Sequence, residues 1–188
     1  MTAPYTIARL LACTFISVLS TYYHCCIAQS KPASHQVPAT AIRGDFDGDG
    51  VQDYAWLVPP ALTADGMSCK GKCISYIKFS GSRIAPIQVN GCIGGEPKNL
   101  GDLNGDGSDE IGLIPDWFTS CWRSYLVYTY KKGKWIYAVS PFSVHCNTVE
   151  EGLPLVKKDS TSKGHVLIRY SELQDTGIVT RTKSVPIR

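Results

Sequence analysis

An acidic loop that runs straight into an apolar segment occurs twice in this chain. The first copy, GDFDGDGVQDYAWLVP, begins at Gly44, and the second, GDLNGDGSDEIGLIP, begins at Gly101. Each copy is followed by a hairpin-like pair of strands, which predicts one supersecondary unit used twice. Oxygen-bearing side chains occupy positions 1, 3, 5 and 9 of both loops: Asp45, Asp47, Asp49 and Asp53 in the first, and Asp102, Asn104, Asp106 and Glu110 in the second.

The spacing of these oxygen atoms suits a hard divalent cation. Side-chain oxygens at positions 1, 3 and 5, a backbone carbonyl at position 7 and an acid at position 9 can surround Ca²⁺ with about six to eight contacts. Position 7 is Val51 in the first loop and Ser108 in the second, and the glycine at position 6 permits a sharp turn. The sequence therefore predicts two Ca²⁺ sites, in which the ion neutralises acids that otherwise repel one another.

Other interpretations of the loops are open at this point. Magnesium retains its waters and suits such a cage less well, and transition metals favour histidine or thiolate, which neither loop offers. A solvated Asx-rich turn that only caps a strand is the interpretation without a metal. In the second loop Asp109 at position 8 competes with Glu110 at position 9 to close the cage, and the order of positions favours Glu110.

Turn residues separate short β-branched and aromatic runs throughout residues 42–188. Such runs predict strands, and no stretch of about ten residues shows a helical period. We therefore predict one all-β domain over 42–188, with repeats at about 44–100 and 101–158 and C-terminal strands at 159–188. The strand candidates are YAWLV, CISYIKFS, RIAPIQV, EIGLI, SYLVYTY, KWIYAVS, LPLVKK, HVLIRYSE and GIVTRTKSV.

The loops resemble those of the FG-GAP/VCBS repeat family, whose blades build calcium-binding β-propellers such as the integrin alpha-subunit head. An EF-hand is excluded because it needs glutamate at position 12, where this chain has Trp56 and Leu113. DFDGDGVQD matches the family pattern DxDxDGxxD, and Pro59 stands where the proline of the family's GAP motif falls. The resemblance implies propeller-like antiparallel blades with calcium ligands at the loop positions. Propellers close with about four to eight blades, so two units imply an open or incomplete propeller, or a homo-oligomeric ring.

The N-terminal residues predict export. Residues 1–28 combine Arg9, the apolar run LLACTFISVLS and a small-residue cleavage site, as a signal peptide does, and residues 29–41 predict a linker. The apolar run is too short to span a membrane, and we expect no transmembrane segment elsewhere. The protein is thus expected to be secreted or periplasmic. A lipoprotein anchored at Cys25 or Cys26 is disfavoured by the bulky residues before them.

Export changes how the other cysteines are interpreted, because an oxidising compartment permits disulfides. Cys69 and Cys73 flank a turn-like KGK, and Cys121 could reach Cys146 across a hairpin, which would leave Cys92 unpaired. The sequence alone leaves the connectivity open. A zinc site is the competing interpretation, but the spacings contain no tight CxxC pair.

Charge and motifs favour a binding module over an enzyme. The net charge is +3 and the basic residues are scattered, so we expect no nucleic-acid partner. We expect a non-enzymatic, calcium-stabilised module that presents a surface to an unidentified protein or glycan. A candidate surface is the aromatic group Trp117, Phe118, Trp122 and Tyr125, for which core packing is the competing interpretation.

The alternative function is a small secreted hydrolase that uses a thiol or other group of the segment SVHCNTVEEG. His145 stands beside Cys146, and a Cys/His pair can generate a thiolate nucleophile. Adjacent residues on a strand point to opposite faces, so a half-cystine beside an ordinary histidine is favoured. Glu150 and Glu151 predict a solvated turn rather than a catalytic pair of acids.

Overall fold

The computed structural model describes residues 37–188. The predicted signal at 1–28, which includes both lipoprotein candidates, and the linker up to residue 36 lie outside the described residues. The described chain is all-β with antiparallel sheets, as the sequence predicts. Among these residues no helix is long and apolar enough to cross a membrane.

The first sheet is an antiparallel meander of four strands in chain order. The first acidic loop joins its first two strands. In the third strand Ser75, Ile77 and Phe79 are buried, whereas Tyr76 and Lys78 are exposed. This alternation is what a half-buried strand requires, because successive side chains point to opposite faces. The strands are β1 (Ile42–Gly44), β2 (Asp53–Val58), β3 (Ile74–Phe79) and β4 (Ile87–Asn90).

The second sheet repeats this order of strands. The second acidic loop joins its first two strands, as the first loop does in the first sheet. Its longest strand, β7, pairs with β8 through its second half and with an additional strand, β9, through its first half. The strands are β5 (Lys98–Asn99), β6 (Ile111–Leu113), β7 (Trp122–Lys131), β8 (Lys134–Tyr137) and β9 (Phe142–His145).

A short helix and a three-stranded sheet complete the described chain. They are α1 (Cys146–Glu150), β10 (Val156–Lys158), β11 (His165–Gln174) and β12 (Gly177–Pro186). Asp159 follows Asp102 at the same interval at which Asp102 follows Asp45, and it lies between β10 and β11, where the acidic loops stand in the other two sheets. The acidic pattern does not reveal this third copy, because Thr161 and Lys163 stand at positions 3 and 5.

Neighbouring hydroxyl and amide groups satisfy the carboxylate of Asp159. Its Oδ2 accepts a hydrogen bond from Ser184 Oγ at 2.6 Å, and its Oδ1 accepts from Thr161 Oγ1 at 2.7 Å and Thr161 N at 2.9 Å. The hydrogen bond from Ser184, followed by those from Thr161, lowers the pKa of Asp159 to about 2. The third loop therefore connects β10 to β12 through hydrogen bonds within the protein.

Two apolar clusters form the core, and each includes the residue at position 2 of an acidic loop. Phe46 is fully buried in the first cluster and meets the ring of Phe79 edge-on at 5.8 Å between centroids. Leu103 is buried in the second cluster beside residues of the second and third sheets, among them Val127 and Val166. Each loop is therefore anchored to the core by its second residue.

Two disulfides join the pairs that the sequence favours. Cys69–Cys73 closes part of the connection between β2 and β3, and Cys121–Cys146 joins the residue before β7 to the first residue of α1. Cys92 is buried and has no disulfide partner among the described cysteines. These disulfides are compatible with an oxidising compartment outside the cytosol.

Replacing Asp159 by asparagine tests the account of the third loop. We expect Asp159→Asn to lower the midpoint of thermal unfolding at neutral pH, because its charge-assisted hydrogen bonds weaken. The folded-state pKa lies below the unfolded value, so the wild-type carboxylate stabilises the fold above the unfolded pKa and loses this contribution as the pH falls through about 2. The midpoints of wild type and variant should therefore converge towards the acid end of a pH series.

The matched control is Asp175→Asn, in the exposed turn between β11 and β12. We expect this control to unfold like the wild type. The Asp159→Asn effect should also be the same in EDTA and in calcium. A difference that appears only with calcium would contradict the hydrogen-bonded account of the third loop.

Candidate metal centre

The carboxylate of Asp45 closes the first loop by accepting three backbone hydrogen bonds. Its Oδ1 accepts from Gly48 N at 2.9 Å and Asp49 N at 3.1 Å, and its Oδ2 accepts from Gly50 N at 2.8 Å. Gly50 has a φ of +79°, a left-handed conformation that a side chain would strain. Two further bonds continue the turn, from Asp49 N to Asp47 Oδ1 and from Val51 N to Asp49 Oδ1. The carboxylate at position 1 therefore holds the turn of the loop through hydrogen bonds within the protein.

The second loop repeats these hydrogen bonds group by group. Asp102 Oδ1 accepts from Gly105 N at 2.6 Å and Asp106 N at 3.1 Å, and Asp102 Oδ2 accepts from Gly107 N at 3.1 Å. Asn104 Oδ1 accepts from Asp106 N at 2.9 Å, and Asp106 Oδ1 accepts from Ser108 N at 3.1 Å. The constant offset between the two copies in the sequence thus aligns equivalent atoms of the two loops.

Glu110 occupies in the second loop the place that Asp53 occupies in the first. Asp53 Oδ2 accepts from the amide of Phe46 at 3.3 Å, and Glu110 Oε2 accepts from the amide of Leu103 at 2.6 Å. Both amides belong to position 2, whose side chain enters the core. Asp53 and Glu110 therefore make equivalent hydrogen bonds, and the role of Glu110 as the acid that closes the second cage stays a prediction.

Asp109 instead connects the two loops. Its backbone N–H donates to the carbonyl oxygen of Asp45 at 2.7 Å, and its Oδ2 accepts from Asp45 N at 3.1 Å. Asn99 Nδ2 donates to the same Oδ2 at 2.8 Å and to the carbonyl of Arg43 at 2.7 Å. A Cβ atom at Gly44 would lie only 2.7 Å from this carboxylate oxygen, so the contact requires glycine there.

Carboxylate oxygens converge in the first loop. Asp45, Asp47 and Asp49 each offer an oxygen atom within 4.8 Å of the others. The guanidinium of Arg83 contacts Asp49 Oδ2 at 2.6 Å, and in the second loop Lys131 Nζ lies 3.9 Å from Asp106 Oδ2. Each loop thus carries enough negative charge to attract a nearby basic side chain, and both basic groups are partly exposed.

Burial and neighbouring acids raise the pKa of both acids at position 9. For Asp53 the main cause is loss of hydration, and the carboxylates of Asp47, Asp49 and Asp45 raise its pKa further. For Glu110, which is fully buried, loss of hydration raises the pKa to about 7, although the nearby Thr129 hydroxyl and the Leu103 amide oppose the rise. A positive charge at either site would reverse this effect, because it favours the ionised carboxylate.

One oxygen of Glu110 makes no hydrogen bond of ordinary geometry among the described residues, although the Thr129 hydroxyl lies near enough to lower the pKa of the carboxyl. This atom is Oε1, and it is buried, while Oε2 is satisfied by Leu103 N. A buried polar atom without a partner costs about 1–3 kcal/mol, so such atoms are uncommon unless a ligand or ion satisfies them. A cation or a water molecule in the second loop would satisfy this atom.

The residue types of both loops suit a calcium ion, but among the described residues only Asp45, Asp47 and Asp49 bring their oxygen atoms together. Asp53 and the three acids of the second loop form no comparable group. The first loop offers four carboxylates, and the second offers three carboxylates and the side-chain amide of Asn104. These are hard oxygen donors, which calcium prefers, and each loop has a backbone carbonyl at position 7. Val51 and Ser108 provide these carbonyls, and their amides bond the acids at position 5.

A second group of metal-binding residue types, Cys121, His145 and Cys146, does not form a comparable site. Both sulfur atoms are joined in the disulfide, and a disulfide sulfur is neither a thiolate ligand nor a thiolate nucleophile. The His145 ring accepts from Asn147 N at 3.3 Å and caps helix α1. Glu151 pairs with Arg169.

The aromatic group named from the sequence is divided by the fold. Trp117 and Trp122 are 41% and 37% exposed, whereas Tyr125 is buried in the second core cluster and Phe118 is half-buried. Trp122 and Tyr125 lie three residues apart on β7 and therefore face opposite sides of the sheet. Core packing is thus right for Tyr125, and the tryptophans form part of the surface.

Comparison of the chain with protein-family models, with curated proteins and with solved structures found no match. The functional proposal below therefore depends on the geometry of the described residues and on the sequence of the loops.

Removing the side chain of Asp109 tests the connection between the loops. We expect Asp109→Ala to lower the free energy of unfolding by about 1–3 kcal/mol, because Asp45 N and Asn99 Nδ2 lose their acceptor. Denaturant unfolding in EDTA measures this change without any contribution from bound metal. Asp175→Ala is the control and should have the stability of the wild type. Equal stability of Asp109→Ala and Asp175→Ala would show that the hydrogen bonds of the Asp109 carboxylate contribute nothing to the free energy of unfolding.

Proposed function

We propose that this chain is a secreted, non-enzymatic calcium-binding module of FG-GAP/VCBS type, in which calcium stabilises a surface that binds a protein or a glycan. The resemblance of the loops to that family motivates the proposal. The shared hydrogen-bond pattern of the two loops and the converging oxygen atoms of Asp45, Asp47 and Asp49 in the first loop support it.

The observation that carries the proposal is the unpartnered Oε1 atom of Glu110. The side chain is fully buried between Leu103 and the acids of the second loop, at the position where the loop pattern requires a ligand. Burial of an unpaired carboxylate is unfavourable, and without a cation this burial raises the pKa of Glu110 to about 7. A cation bound by the loop would compensate for this burial.

Calcium would be held by the residues at positions 1, 3, 5, 7 and 9 of each loop. When bound, the ion supplies positive charge that offsets the repulsion among the carboxylates. The chain itself supplies the shape, because Asp45 and Asp102 already fold the loops through backbone hydrogen bonds. Position 9 begins β2 in the first unit and directly precedes β6 in the second, so ion binding would couple each loop to a strand.

The arrangement of sheets supports an open or incomplete propeller. Three antiparallel sheets follow one another along the chain, and Asp45, Asp102 and Asp159 stand at equal intervals, each between the first two strands of its sheet. Repetition of one strand-loop-strand unit is the sequence signature of blade-like architectures. The third unit is the one that lacks the other acids.

Calcium should raise the midpoint of thermal unfolding of the oxidised protein. A ligand that binds only the folded state adds about 2.7 kcal/mol per site at a hundredfold excess over its dissociation constant. The measurement is a calcium titration after EDTA treatment, with magnesium as the ionic control. A rise of equal size with both ions would contradict a calcium-selective cage, and no rise would leave the loops as solvated turns.

The matched variant for this titration is Glu110→Gln, which keeps the size of the side chain and removes its charge. In EDTA we expect the variant to be at least as stable as the wild type, because no carboxylate is buried. In calcium we expect it to gain less than the wild type, because an acidic ligand is missing. A variant that responds to calcium as the wild type does would exclude Glu110 as a ligand.

A further inference from the structure

A cleft of about 490 Å³ lies between the first and second sheets, away from the acidic loops. Its lining includes Gln88 and Asn90 of β4, Trp122 and Arg123 of β7, and Trp117 and Tyr137. We call it the aromatic cleft. Its volume is within the range of about 300–1,000 Å³ that is usual for small-ligand sites.

Three large aromatic side chains are exposed in the aromatic cleft. Trp117, Trp122 and Tyr137 are 41%, 37% and 41% exposed. Tryptophan and tyrosine are the residues that most often dominate binding energy, and a group of them around one cleft is more informative than a single exposed ring. Their grouping therefore points to a ligand with an apolar face.

Each of these rings is held by an aromatic neighbour. Trp122 meets the His145 ring at 5.0 Å between centroids, and Tyr137 stacks on Tyr128 at 5.2 Å. Trp117 meets Phe118 edge-on at 5.1 Å. Rings that are fixed in this way lose little conformational entropy when a ligand packs on them.

Polar groups of the aromatic cleft are arranged to bind hydroxyls. Gln88 Nε2 donates to Asn90 Oδ1 at 2.9 Å, which leaves the Gln88 carbonyl oxygen and the Asn90 amide nitrogen without a side-chain partner among the described residues. Arg123 is the one charged residue in the lining, and its guanidinium donates to the carbonyl of Ser120. The lining contains no carboxylate that could pair with a cationic ligand.

We propose that the aromatic cleft binds carbohydrate. The C–H face of a pyranose ring can pack on an exposed indole, while its hydroxyls exchange hydrogen bonds with the amides and the guanidinium. A protein partner would need about 800 Å² of surface on each side, whereas this recess has the dimensions of a small ligand. The proposal rests on the binding-module function proposed above and specifies glycan as its partner.

Calcium and carbohydrate would bind at opposite ends of β6. This strand begins at Ile111, directly after Glu110, and Trp117 lies beyond its other end. The sugar therefore does not require contact with the ion. The experiment can therefore disprove calcium binding by the loops and carbohydrate binding by the aromatic cleft independently of each other.

The test incubates the purified full chain, in the presence of calcium, with an array of immobilised neutral and acidic oligosaccharides. We expect the protein to bind at least one of these oligosaccharides. For the best one, titration calorimetry should show affinity reduced by at least about tenfold in Trp117→Ala and in Trp122→Ala. Leu173→Ala is the control, because Leu173 is 73% exposed on β11 and lies outside the aromatic cleft, and its affinity should be that of the wild type.

Asn90→Ala provides a second variant that removes no ring from the fold, and it should weaken the same sugar. No retained sugar, or equal affinity in wild type and both tryptophan variants, would overturn the proposal. Capture of a protein through the aromatic cleft without any sugar binding would overturn it too. Loss of the calcium response with sugar binding intact would count against the calcium sites and leave the carbohydrate site standing.

Discussion

The hydrogen bonds from three backbone amides to the first aspartate of each loop are the interaction on which the rest of the structure depends. In both loops one carboxylate oxygen accepts two amides and the other accepts a third. This closes a turn that sends position 2 into the core and brings position 9 back to the amide of position 2. In the first loop the oxygen atoms of Asp47 and Asp49 then converge with those of Asp45, because the backbone has already turned around Asp45.

The three units differ in how the carboxylates of the loop find partners. The first has four acids and a contact with Arg83, and the second has three acids and a fully buried Glu110. The third keeps only Asp159, whose carboxylate is satisfied by hydroxyl and amide hydrogens. The number of acids that an ion would have to neutralise therefore falls along the chain, and charge count is one of the terms that set calcium affinity.

The sequence predicts the features that depend on local spacing. These are the all-β class and the two acidic loops in register, whereas the disulfide connectivity was left open and is given by the structure. The role of Asp109 could not be predicted, because its partner Asp45 belongs to the other loop and meets it only after two sheets pack. The third unit could not be recognised from the acidic pattern, because Thr161 and Lys163 stand where the other two loops have acidic or amide side chains. The separation of Trp122 from Tyr125 was predictable in principle, since residues three apart on a strand face opposite sides.

The loops organise the chain through their hydrogen bonds, and calcium is the ligand that we propose for them. Native mass spectrometry of the oxidised protein, after EDTA treatment and then after addition of calcium, counts the bound ions directly. The account predicts two calcium ions per chain. Absence of any calcium adduct under conditions that keep the protein folded would contradict it.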